Sequence, residues 1–293
     1  AQVKKPEKAG WFGGQFMQLK DLQIKATDIR LRALRMIYEA KTGHLGGTMS
    51  MADILVALYY YKMKYDPKNP KMFDRDRFVL SKGHSVEGLY CVLADVGFFE
   101  KEELERYSTF GSRLFGHPTN KVPGIEICSG ALGHGLADAV GMALAAKKSQ
   151  VDNTTYVMMG DGEQAEGSVW EAAMAASNYH LDHLVGILDR NMLQITGCTE
   201  DVMALENLAA KWIAFGWSVR EIDGNDMSQI VDALDAVPFE KGRPSLILAH
   251  TIKGKDICFA ESIAKWHHGV PSQQEYEQAK TALEKKREEL MGK

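Results

Sequence analysis

Short apolar runs alternate with longer stretches of helical spacing along most of the chain. RFVLS (77–81), TYVMMG (155–160), HLVGILD (183–189), WSVREID (217–223) and PSLILAH (244–250) read as strands. The first is bounded by charges and by Lys82-Gly83, as suits a buried parallel strand. Apolar residues recur at helical spacing over 19–41, 50–62, 86–96, 136–147, 167–179, 205–215 and 227–236. Strands alternating with helices predict βαβ units and an α/β fold, a parallel sheet flanked by helices on both faces. No repeat or low-complexity linker interrupts the pattern, so residues 1–293 read as one domain. Its last stretch, 272–293, reads as a charged helix, either a solvated tail or a partner contact.

Composition narrows the function. The chain carries 35 Lys and Arg against 39 Asp and Glu, a formal charge of −4, with the basic residues dispersed among acids. That gives no basic field for nucleic acid. No run of 18 apolar residues occurs, and AQVKKPEKAGWFGG lacks the apolar core of a signal peptide, so a cytoplasmic protein with no membrane contact is expected. Cys91, Cys128, Cys198 and Cys258 are scattered without CxxC pairing, which argues against a zinc ribbon or disulfide framework.

The candidate chemistry lies in GDGEQAEGSVWEAAMAASNYHLDHLVGILDRN, residues 160–191. One reading is a tight turn made by Gly160 and Gly162 in ordinary α/β packing. The other is a ligand site, because ligands of doubly wound sheets bind beyond the carboxyl ends of the strands. Glycines there let the backbone approach a ligand. Asp161 and Asn191 follow two successive strands and can meet at one edge. A carboxylate, an amide oxygen, a backbone carbonyl and diphosphate oxygens together suit Mg²⁺.

This segment resembles the thiamine-diphosphate motif, which opens on GDG and closes on Asn about thirty residues later. The resemblance implies Asp161, Asn191 and the carbonyl of Leu193 as ligands of Mg²⁺, or of Ca²⁺ or Mn²⁺ in its place. Arg190-Asn191 stands where Asn-Asn is frequent, with the liganding Asn kept. KTGHLGGTMSMADILVALYY, RDRFVLSKGHSVEGLY, FGHP, PGIEICSGALGHGLADAVGMALA and HHGVPS then follow the order seen in transketolases, covering nearly the whole chain. Thr42-Gly43-His44-Leu45 departs from their usual Gly-His-Pro and is closer to deoxyxylulose-phosphate synthases, which stay open as an alternative.

By this resemblance His44, His84, His117 and His268 face the substrate. His84, Gly130, Leu132, Gly160, Asp161, Gly162, Glu166, Asn191 and His268 would contact thiamine diphosphate, Glu166 also at the subunit contact. Several imidazoles suit a reaction that develops charge on a ketose oxygen and moves protons to and from hydroxyls near neutral pH. His180, His183 and His250 read as packed or surface residues, His134 and His267 stay undecided, and Glu163 and Glu171 read as surface or helix-start charges. Ser112, Arg113 and Lys121 read as lying near the mouth.

The family also needs a pyrimidine-binding domain carrying a cofactor-activating glutamate, and no stretch here matches it. The resemblance therefore implies the N-terminal subunit of a split transketolase that works on sugar phosphates. Its partner would be a C-terminal subunit supplying that domain, and the expected assembly is an α2β2 heterotetramer. One chain of a 2-oxoacid dehydrogenase and a non-catalytic cofactor-binding half remain alternatives. A nucleotide-binding Rossmann protein is disfavoured, since neither GxGxxG after the first strand nor GxxxxGK[ST] occurs.

Overall fold

The computed structural model describes residues 17–292, so the N-terminal segment AQVKKPEKAGWFGG and Lys293 lie outside the described residues. Helices α1 (Leu19–Ala40), α2 (Leu45–Ser50) and α3 (Ala52–Ala57) lead through a π-helical turn (Leu58–Lys62) to strand β1 (Arg77–Leu80). Helices α4 (Val86–Asp95) and α5 (Gly135–Lys148) precede β2 (Thr155–Gly160), α6 (Gly167–Asn178) and β3 (Leu184–Arg190). A hairpin of β4 (Leu193–Gln194) and β5 (Gly197–Cys198) follows, then α7 (Thr199–Val202), α8 (Leu208–Ala214), β6 (Ser218–Asp223), α9 (Met227–Asp235), β7 (Ser245–His250) and α10 (Gln273–Met291).

The main sheet is parallel throughout, in the order β1-β2-β3-β7-β6. Alternation along the strands splits the core in two. Phe78, Leu80, Tyr156, Met158, Val185, Ile187, Ile247 and Ala249 face one cluster, with α1, α3 and α4. Val79, Val157, Met159, Leu184, Leu188, Leu246 and Leu248 face the other, with α5, α6 and Trp212 of α8. Both faces of the sheet are covered, so β3 is buried along its whole length and β2 as far as Met159. The edge strand β6 is the exception, and its Arg220 and Glu221 are exposed.

Three elements differ from the sequence pattern. The helix expected to begin at residue 50 begins at Leu45 and breaks at Met51. Gly46 lowers helix propensity but admits close packing: a Cβ there would lie 2.8 Å from the Trp266 carbonyl oxygen. The helix expected over 205–215 is confined to α8, because the amides of Leu205 and Glu206 donate to Glu200 and Asn207 caps Ala210 N at 3.1 Å. Helix α10 is not a solvated tail. Ala279 and Leu283 are fully buried, Tyr276 stacks on Tyr38 of α1 at 4.2 Å, and Arg287 pairs with Asp28 at 2.6 Å. Its charges occupy the outer face. Among the described residues no helix is long and apolar enough to cross a membrane.

Candidate active site

The carboxyl ends of β1, β2, β3 and β7 lie at one edge, and the segments leaving them carry most of the candidate chemistry. Asp161 follows β2 and is 2% exposed. Its Oδ1 accepts from the amide of Gly162 (2.9 Å), and its Oδ2 accepts from the amide of Met192 (2.7 Å), with Arg190 Nη1 at 3.4 Å. Met192, at φ 66°, turns the chain after β3, so that Asn191 and Leu193 stay close to Asp161. Asn191 Oδ1 accepts from Leu193 N (3.2 Å), and the Leu193 carbonyl accepts from Lys253 Nζ (3.2 Å).

Burial pushes the Asp161 carboxyl up, and neighbouring Asp189 adds to the effect, against Lys253 and Arg190. A buried carboxylate beside an amide oxygen and a carbonyl fits a divalent cation. Among the described residues no three His, Cys, Asp or Glu side chains could hold a metal by themselves. The donor set therefore suits Mg²⁺ completed by phosphate oxygens, rather than zinc.

A second cluster is built from imidazoles. His44 caps the start of α2, and its ring centre lies 4.7 Å from that of His268, 5.2 Å from His84, 5.7 Å from His267 and 6.0 Å from His117. His84 and His267 stack at 4.9 Å. His44 Nδ1 is buried with no hydrogen-bond partner among the described residues, a polar atom left for a ligand. Burial, then His268 and His117, push His44 down to about 4; burial and Lys253 push His267 down to about 3. Burial also lowers His84 and His117. The lowered His44, His84, His117 and His267 rings are neutral at pH 7, each with one donor and one acceptor nitrogen.

The glycine-rich segment before α5 closes over this cluster. Gly130 has φ +145°, and a Cβ there would lie 2.8 Å from His117 Cδ2. Leu132 is half-buried in the same segment. Glu166 is exposed, and its side chain borders Gly133, where a Cβ would meet Glu166 Cβ at 2.7 Å.

Several residues here were read otherwise from the sequence or missed. Glu163 is not a surface charge. It is 1% exposed, and its carboxylate accepts from Ser81 Oγ, Gly133 N (2.7 Å) and Gly160 N (3.1 Å), tying together the ends of β1 and β2 and the turn before α5. The amides of Gly160 and Gly162 are thus engaged by Glu163 and Asp161. Lys82 and Asp189 form a fully buried ion pair, to which Ser50 Oγ donates at 2.7 Å. Lys253 is nearly buried and reaches His267 Nδ1 at 3.0 Å; burial and Lys82 push it down to about 8. Only their places in LSKGH and TIKGK marked the two lysines.

Arg113 is held by Glu103 at 2.9 and 2.7 Å, Ser112 is buried, and Lys121 is exposed. His180, His183 and His250 are exposed, the last paired with Glu221 at 2.8 Å, and His134 is exposed at the start of α5.

A parallel sheet with buried oxygen donors and an imidazole cluster at its carboxyl edge defines an α/β domain of the kind that binds thiamine diphosphate. The family profile described as "Transketolase, thiamine diphosphate binding domain" matches residues 22–290, and the chain belongs to the transketolase family. It is 49% identical over 274 residues to one of the subunits of an apulose-4-phosphate transketolase from Phocaeicola vulgatus, covering 94% of this chain and 98% of the relative. It is 43% identical over 266 residues to one of the subunits of a 6-deoxy-6-sulfo-D-fructose transketolase from a Clostridium species, covering 90% and 97%. Among solved structures, the transketolase from Leishmania mexicana superposes with a TM-score of 0.83 at 28% identity, over 95% of this chain and 46% of that one. A transketolase variant from Pichia stipitis gives 0.84 at 31% identity, over 91% and 41%. The chain thus spans less than half the length of these solved transketolases.

Proposed function

We propose that this chain is the thiamine-diphosphate-binding subunit of a two-chain transketolase, which moves a two-carbon ketol unit from a ketose phosphate to an aldose phosphate. The observation that carries the reading is the histidine cluster linked to the Leu193 carbonyl through Lys253 Nζ, which lies 3.0 Å from His267 Nδ1 and 3.2 Å from that carbonyl, next to Asp161 and Asn191. Asp161, Asn191 and the Leu193 carbonyl would hold Mg²⁺ against the diphosphate, with Gly130, Leu132, Gly160, Gly162 and Glu166 along the cofactor. Thiamine diphosphate, when bound, supplies a nucleophilic carbon and an electron sink for cleavage of the ketose C2–C3 bond. His44 and His268, adjacent in the cluster, donate hydrogen bonds to the ketose C2 oxygen as charge develops there. His84 and His117 exchange protons with the C3 hydroxyl, as neutral imidazoles can.

Both relatives are named as single subunits of a transketolase, which supports a partner chain. That partner would carry the pyrimidine-binding half and its glutamate in an α2β2 assembly. The substrate in the first relative's name makes apulose 4-phosphate the first donor to compare with xylulose 5-phosphate. The test is ketol transfer to an aldose phosphate with thiamine diphosphate and Mg²⁺, by this chain alone and with a C-terminal transketolase subunit from the same genome. Transfer only in the mixture supports the split enzyme. Transfer by this chain alone removes the partner, and CO₂ release from a 2-oxo acid in place of transfer moves the protein to the decarboxylating relatives.

A further inference from the structure

Helix α4 carries a carboxylate in its core. Glu87 is fully buried, and among the described residues no cation pairs with it. Burial pushes its carboxyl up, and every hydrogen bond to the side chain comes from a neutral donor. Oε1 accepts from His44 N and from the Tyr107 hydroxyl, both at 2.9 Å, and Oε2 accepts from Thr48 Oγ1 at 2.9 Å. An unpaired buried carboxylate is costly, and three well-formed bonds offset only part of that cost.

The bonds from His44 and Thr48 lead to the imidazoles, since Thr48 N donates to the His44 carbonyl at 3.2 Å. The segment held through His44 N pairs in turn with the segment after His268: His44 bridges Gly269, and Gly269 N donates to the Gly43 carbonyl at 3.3 Å. Gly43, at φ +150°, passes so near that a Cβ would lie 2.7 Å from Glu87 Oε1. Three residues along the same helix face, the Tyr90 hydroxyl donates to the His117 carbonyl at 3.1 Å. His84 sits in the turn that opens α4. One helix therefore fixes four imidazole-bearing segments, and Glu87 is its bond to the central one.

We propose that Glu87 is the positioning residue of the imidazole cluster, setting the place of His44, and through it His268, by accepting from the His44 backbone and from Thr48 and Tyr107. It touches neither cofactor nor substrate. The catalytic consequence rests on the ketol-transfer reading; the positioning itself does not, and it is read on the chain alone.

The measurement is the titration of His44 by ¹H–¹⁵N imidazole spectra of the histidine-labelled full chain. His44 faces His84 and Lys82 from the β1–α4 turn, His117 from the segment before α5, Lys253 after β7, and His267 and His268 beyond it. In the wild type the His44 midpoint should lie near 4, well below the ordinary 6.5. Glu87→Ala should let water reach the ring and raise its midpoint by about one unit or more toward the ordinary value. Glu87→Gln should stay near the wild type, because its carbonyl oxygen still serves His44 N and Tyr107 while Thr48 turns to accept from the amide. Should Glu87→Ala fail to fold, the Thr48→Val/Tyr107→Phe double variant keeps the carboxylate but strips its hydroxyl anchors, and the His44 midpoint should rise in it too. An unshifted His44 in folded Glu87→Ala, or in the double variant where Glu87→Ala does not fold, overturns the proposal. A shift in Glu87→Gln as large as in Glu87→Ala also does, since charge rather than placement would then be at work. In the assembled enzyme, kcat should fall about tenfold or more in Glu87→Ala and recover in Glu87→Gln, with thiamine diphosphate affinity unchanged.

Discussion

Glu163→Ala should destabilise the chain through the backbone it leaves unbonded. The wild-type carboxylate accepts from Ser81 Oγ, Gly133 N and Gly160 N. Removal strands two backbone amides that cannot turn away, whereas the serine hydroxyl can rotate. At about 1–3 kcal/mol for each stranded buried donor, the loss is about 2–6 kcal/mol. A shift of about 2 °C per kcal/mol, at the small end expected for a long chain, lowers the midpoint by about 4–12 °C. Glu163→Gln separates geometry from size. Oε1 serves both Ser81 and Gly133, so an amide oxygen can keep those bonds while its nitrogen faces Gly160 N–H. One lost acceptor costs about 1–3 kcal/mol. Urea unfolding of the cofactor-free chain should therefore rank wild type above Gln and Gln above Ala. An alanine variant within about 1 kcal/mol of wild type, or a Gln variant no better than Ala, would refute the tie between β1, β2 and the turn before α5.

Further outcomes follow from the same geometry. Asp161→Ala should abolish Mg²⁺-dependent binding of thiamine diphosphate in calorimetry, since the protein's only anionic ligand to the ion is then gone, and unchanged affinity removes the metal assignment. His268→Ala should slow turnover and leave most of that binding intact; lost binding would make its contact with the cofactor, rather than with the substrate, the dominant one. Lys82→Met strands the fully buried Asp189 and should cost about 3–5 kcal/mol, with Lys82→Met/Asp189→Leu recovering part of it; equal stability of the wild type and the single variant defeats this reading. Folded His44 and His267 titrate at about 4 and about 3, against 6.5 unfolded, so the unfolded chain binds more protons below pH 6.5. The stability these rings contribute is complete above pH 6.5 and is lost as pH falls from there toward about 4 for His44 and about 3 for His267. His44→Gln should flatten that arm by up to about one proton, read as a difference from wild type because the raised carboxyls of Glu87 and Glu163 act in the opposite sense at lower pH. Parallel curves for the two proteins would contradict it.

The strands were legible because burial on both faces leaves little but apolar side chains in β1, β2, β3 and β7. The glycine-flanked histidines were legible because each sits in a short motif, and the structure gathers His44, His84, His117 and His268. What escaped the sequence depends on partners far along the chain. Glu163 stands in GDGEQAEG like any charge opening a helix, and nothing local announces Ser81 or Gly133 as its donors. Glu87 likewise looks like the polar face of an amphipathic helix until Thr48 and Tyr107 are placed beside it. The charges of α10 conceal a docked face only Ala279 and Leu283 wide, with Tyr276 at its end.

His44 and His268 touch across more than two hundred residues of sequence. During synthesis at about 5–20 residues per second, the first of them waits roughly 10–45 s for the second to emerge. Asp161, Asn191 and Leu193 are all present well before then, while the imidazole wall is not. A complete site must therefore wait until His268 has been made, and the closing of the His44–His268 contact marks that moment.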